Sequence, residues 1–128
     1  MPVHRTHHLP AKMNMEIRPI DTAENEYDSV LGVYTLFVSL PRAETVYFRL
    51  VAEAWEDYAV VRTMERFHGP QRTETLVVAM AVPDYLEPCS RSLARLVAEV
   101  DGRQVPTTPA LRAALRRDLL GPDADRPD

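Results

Sequence analysis

The alternation of apolar and polar positions divides the chain between its two ends into six or seven short elements. VYTLFVSL, Val33 to Leu40, is rich in β-branched and aromatic residues and predicts a strand. Ser39 and Pro41 then supply helix-start chemistry, a cap candidate followed by a proline near the first turn. From Arg42 to about Asp57, Ala43, Val46, Tyr47, Leu50, Val51 and Ala54 recur at the spacing of one buried helical face. Tyr58 to Phe67 predicts a second strand, broken by the turn His68-Gly69-Pro70. Arg72 to Val82 predicts a third, whose centre LVVAMAV is apolar on both faces. Asp84 and Glu87 form a capping box for a helix with Leu86, Cys89, Leu93, Leu96, Val97 and Val100 as its stripe and Gly102 at its end. A weak strand at Arg103 to Val105 stops at Pro106. Thr108-Pro109 opens a last helix, with Leu111, Leu115 and Leu119 on one side and Arg112, Arg116 and Arg117 around the rest.

The resulting order is β-α-β-β-α, with a further β, then an extra helix. A short turn between the second and third strands makes an antiparallel hairpin, and right-handed crossovers put both bridging helices on one sheet face. The expected fold is an α+β, ferredoxin-like βαββα(β) sandwich: an antiparallel sheet with two helices on one face, plus a short C-terminal helix. Residues 29–106 form this domain and 107–121 the terminal amphipathic helix. Residues 1–28 are read as a largely irregular arm with a short strand option at Met15 to Ile20. Residues 122–128, ending PDADRPD, are read as a disordered tail.

Bulk composition narrows the function classes. At 128 residues the chain suits one core. A formal charge of -4 argues against a dedicated nucleic-acid binder, which needs clustered excess Lys and Arg. One cysteine permits no internal disulfide. No apolar run approaches the roughly 18 residues of a membrane span, and the N-terminus carries no apolar leader core. The expectation is a cytoplasmic protein with no membrane partner.

Two resemblances add to this. LPRAETVYFRLVAEAWEDYAVVRT resembles a family of short, uncharacterised bacterial proteins grouped as a domain of unknown function. The features carrying it are Glu53-Ala54-Trp55-Glu56-Asp57 and Ala59-Val60-Val61-Arg62-Thr63. The likeness spans roughly Tyr34 to Val100 and implies a βαββα domain that stands alone. The layout is also similar to amino-acid-binding regulatory (ACT) domains, which implies a ligand at a glycine-containing turn after the first strand. The matching turn here, Ser39-Leu40-Pro41-Arg42, has no glycine, and its proline donates no N–H.

The remaining candidates are surface features. Alternation places Val60, Arg62, Met64 and Arg66 on the sheet face away from the helices, with Ala59, Val61 and Thr63 on the other. Beside them, Val33, Thr35 and Phe37 should join Thr75, Val77, Ala79 and Ala81 in an apolar patch, the mark of an interaction surface unless something covers it. Three covers fit: a second copy, another protein, or the terminal helix through Leu111, Leu115 and Leu119. Strand three lacks the aromatics that an RNA-recognition sheet stacks on bases. Cys89 lies on an apolar stripe, where a thiol behaves as a small hydrophobe. His4, His7 and His8 have a metal-compatible spacing with no Cys or carboxylate beside them. No GxGxxG, P-loop, HExxH or GxSxG occurs, so neither a catalytic residue, a metal ligand nor a cofactor is assigned. The acidic stretch DTAENEYD and the Arg-rich last helix are of opposite sign and can pair. The expectation is a non-enzymatic module that self-associates or docks on a protein partner through its open sheet face. The candidate contacts are Thr35, Phe37, Arg62, Met64, Arg66, Val77 and Ala79. The alternative is an ACT-like regulatory domain that binds a small anionic metabolite near Arg62, Arg66 or Arg42.

Overall fold

The computed structural model describes residues 16–55, 59–68 and 73–122, without the side chains of residues 65–68. The elements are β1 (Tyr27–Asp28), β2 (Val33–Pro41), α1 (Thr45–Ala52), β3 (Val60–His68), β4 (Glu74–Ala81), α2 (Leu86–Glu99), β5 (Arg103–Val105) and α3 (Pro109–Leu120). Single 3-10 turns stand before β1 at Glu24–Glu26, lead into α1 at Arg42–Glu44, extend it at Glu53–Trp55, and lead into α2 at Pro83–Tyr85. The fold is α+β, a five-stranded antiparallel sheet with three α-helices among the described residues.

β2 is the hub of the sheet. It pairs with β4 from Tyr34↔Ala81 to Pro41↔Glu74, and its other edge is shared by β1 (Tyr27↔Tyr34) and β5 (Phe37↔Val105). β3 adds outside β4 from Val60↔Met80 to Thr63↔Val77, with a register break before His68↔Thr75. Read across, the strands run β5-β2-β4-β3, with β1 beside β5. Central position explains composition: β2 and β4 are buried on both faces, which is why both read as nearly continuous apolar runs.

Each face has its own core. On one side Leu36, Val38 and Leu40 of β2 and Val77, Ala79 and Ala81 of β4 meet Phe48, Ala52 and Trp55 beneath α1, and Cys89, Leu93, Leu96 and Val97 beneath α2. On the other, Phe37, Met64, Leu76 and Val78 meet Leu111 and Leu115 of α3. Thus α3 roofs the face that the sequence left open, and helices lie on both sides. The two buried leucines of α3 contribute roughly 3–6 kcal/mol toward holding it there. Thr108 accepts from the N–H of Leu111 at 3.2 Å and Pro109 opens the helix, as its start signal predicts.

Several local expectations are corrected. The buried side of α1 is Phe48 and Ala52, continued by Trp55 and flanked by Tyr47 and Val51, whereas Val46 is 72% and Leu50 62% exposed. Apolar residues occupy two arcs of this helix, and the larger aromatic arc goes inward because it buries more area. Asp84 makes no cap: the residue before α2 is Tyr85, and no side chain accepts there. Ser39 is no cap either, since it is buried in β2 and its hydroxyl donates to the Glu74 carboxylate. Residues 16–20 are irregular rather than a strand. At the end of α2 the left-handed residue is Asp101 (φ 58), with Gly102 N–H bonded to Val97 O at 2.9 Å. Gly102 serves close packing instead, because a Cβ there would stand 3.0 Å from Ser39 O.

Candidate functional site

The predicted contact residues divide between the two faces. Thr35, Phe37, Met64 and Arg62 share the α3 side, Arg62 standing opposite Val78 in the ladder. Val77 and Ala79 do not belong with them; both lie in the core under α1 and α2. The error is one of register parity: Phe37 faces Val78, so the side-chain period of two sends Val77 and Ala79 to the reverse face. Arg66 is in β3, but its side chain lies outside the described residues, as do His4, His7, His8, Glu56 and Asp57.

Phe37 and Met64 are buried beneath α3, and Thr35 is sealed by hydrogen bonds. The Thr35 hydroxyl donates to Glu26 O at 3.2 Å, while Thr107 bonds the Thr35 carbonyl at 3.1 Å and the Glu26 carboxylate through its hydroxyl and N–H. Of the expected contact set, Arg62 keeps an unsatisfied polar atom among the described residues. It is half-buried, and its Nε is shielded from solvent without a hydrogen-bond partner among them.

The densest polar cluster ties the N-terminal segment to α3. Asp28 is fully buried at the end of β1. Arg116 grips it in a fork, Nε to Oδ2 at 3.0 Å and Nη2 to Oδ1 at 3.0 Å, and Arg112 Nε lies 3.6 Å from Oδ2. The N–H groups of Val30 and Leu31 add 2.9 and 3.0 Å bonds to Oδ1, an Asx turn that shapes the loop into β2. Burial pushes this carboxyl's pKa up, but the Arg116 fork and the two backbone donors outweigh it and hold the group below its ordinary value. Arg112 also donates to the carbonyls of Asn25 at 2.7 Å and Tyr27 at 3.3 Å. The opposite charges of the acidic stretch and the last helix do meet here, as a clamp inside one chain.

Cys89 is buried under α2, and burial pushes its thiol up to about 11, so the thiolate that a nucleophile needs is suppressed. Among the described residues no group of His, Cys, Asp or Glu is arranged to hold a metal ion, and no helix is long and apolar enough to cross a membrane.

The sheet edge at β3 is open: among the described residues no strand pairs with its outer side. Between that edge and α1 lies an open groove of about 370 Å³ lined by Arg49, Ala52, Glu53, Ala59, Val60 and Val61. Val60 is 62% exposed, and with Val46 and Leu50 it places three large aliphatic side chains in solvent on α1 and β3. The sequence signal for this surface was the second apolar arc of α1, which had been assigned to the core. No protein-family model, curated protein or solved structure matches the chain.

Proposed function

We propose that the chain is a non-enzymatic protein-interaction module on a ferredoxin-like layout, and that it associates through the flank formed by α1 and β3. The sheet order β5-β2-β4-β3 supports that layout, with β1 as an addition at the β5 edge. The EAWED and AVVRT stretches keep it close to the small bacterial family that they resemble. The observation carrying the functional reading is the exposure of Val46 and Leu50 on α1 and of Val60 on β3, a strand whose outer edge has no strand partner among the described residues, while both sheet faces are already covered by the chain's own helices. Large aliphatic side chains held in solvent and an open strand edge are both features of a contact surface. Sedimentation velocity from low to high micromolar concentration tests the self-associating form. A rising sedimentation coefficient is expected, and replacing Val46 and Leu50 together by Glu should abolish the rise while leaving the melting temperature in place. A species that stays monomeric throughout would remove self-association.

The half-buried Arg62 favours a second reading, an anionic metabolite bound at the rim of the α3 face, because its Nε meets no acceptor among the described residues. A ligand at a hundred times its Kd adds about 2.7 kcal/mol of stability. A thermal-shift screen of phosphorylated and carboxylate metabolites detects that, and absence of any shift retires the reading.

A further inference from the structure

We infer that the occupant of the α1–β3 flank is a second copy of this chain, joined edge to edge at β3 about a two-fold axis normal to the sheet. The inference rests on the interaction-module reading and specifies its partner. β3 spans Val60–His68 without a proline or a lysine, the two residues that most often blunt an edge, and its outer hydrogen-bonding groups face no strand among the described residues.

The charges on α1 are self-complementary for this arrangement. Arg49 and Glu53 are one turn apart on the flank beside β3: Arg49 Nη1 donates to Thr63 Oγ1 at 2.8 Å, and both residues line the groove against Val60 and Val61. A two-fold axis brings the two α1 helices together antiparallel. Arg49 then faces the partner's Glu53, and Glu53 faces the partner's Arg49, an isologous double pair. Spacing allows the contact. The inward residues of α1, Phe48 and Ala52, share a core with Val61 of β3 and with Val77 and Ala79 of β4, so α1 lies over the β3–β4 pair. Joining the sheets at β3 then sets the two helices about two strand separations apart, roughly 10 Å, which is the packing distance of helices.

The strand leads independently to the same axis. A two-fold normal to the sheet keeps side chains on their own face, so the axis must pass through a residue paired with its own copy. Centring on Arg62 sets that cation opposite itself, and centring on Met64 sets it opposite residue 66, another arginine. Centring on Val61 or Thr63 avoids both clashes. On α1, Arg49 sits over Thr63 and Glu53 beside Val60 and Val61, so the midpoint of the charge pair also falls over the stretch from Val61 to Thr63.

Charge reversal with rescue tests the inference by sedimentation equilibrium on the full chain. Arg49→Glu and Glu53→Arg, both exposed positions, should each weaken dimerisation by about tenfold, since every exposed pair becomes a repulsion twice over. The double variant R49E/E53R should restore it. Single cysteines at Val61, Arg62 and Thr63, under mild oxidation, should cross-link at Val61 or Thr63, the self-paired positions, and not at Arg62; the native Cys89 is buried and gives no background. A chain that dimerises without responding to charge reversal, and with no cross-link at Val61 or Thr63, overturns this geometry while leaving the module reading intact. A chain that is monomeric at every concentration overturns both.

Discussion

Asn in place of Asp28 keeps the shape of the side chain and an oxygen for the Val30 and Leu31 N–H groups, but removes the charge that two arginines share. Breaking a buried ion pair by removing one partner typically costs 3–5 kcal/mol, because the other charge stays desolvated. Here Asp28 is fully buried, while the Arg112 and Arg116 side chains are 30% and 19% exposed and can swing partly into water. That brings the loss to about 2–3 kcal/mol, just under that range, or a fall in Tm of roughly 7–12 °C for a domain of this size. Urea unfolding followed by Trp55, the single tryptophan and a buried one, measures it directly. The pH dependence carries the sign. The folded-state pKa of Asp28 is lowered, so its contribution is complete above the unfolded-state value near 4 and is lost as pH falls through the lower folded value. The gap between Asp28→Asn and wild type should therefore be widest at neutral pH and narrow below about pH 4. A variant within about 0.5 kcal/mol of wild type at pH 7 would refute the clamp, as would a gap that does not shrink on acidification.

Two further outcomes follow from the cores. Leu115→Ala should cost about 2–5 kcal/mol by leaving a cavity against Phe37 and Val78, whereas Leu119→Ala, 38% exposed, should fall within about 0.5 kcal/mol of wild type; equal losses in urea would mean that α3 is not seated on the sheet. The Cys89 thiol, pushed up to about 11 by burial, should resist a thiol reagent at pH 8 in the native protein and react fully in denaturant. Rapid native labelling would contradict its burial.

Local pattern was enough for the elements with one clear apolar arc. The stripe Cys89, Leu93, Leu96, Val97 has a single way to face a sheet, so α2 lies as its period predicts. The Thr108-Pro109 start of α3 was likewise legible, because capping chemistry acts within one turn. β2 and β4 were recognisable as strands, yet their apolar residues on both faces left parity undetermined. That ambiguity misplaced Val77 and Ala79, and pairing with β2 resolved it. In α1 two apolar arcs competed, and contact with the sheet chose Phe48 and Ala52, leaving Val46 and Leu50 outside.

What the amino-acid order determined alone was therefore the succession of elements from β2 to α3, since these follow from periodicity, caps and turns within a few residues, whereas the two-residue β1 at Tyr27–Asp28 carried no such signal. Tertiary structure decided which faces are covered. The Asp28–Arg116 clamp spans 88 positions, and Leu115 reaches Phe37 across a similar separation. No local signal specifies such meetings; they arise because α3 can bury its leucines and neutralise Asp28 in a single placement over the sheet.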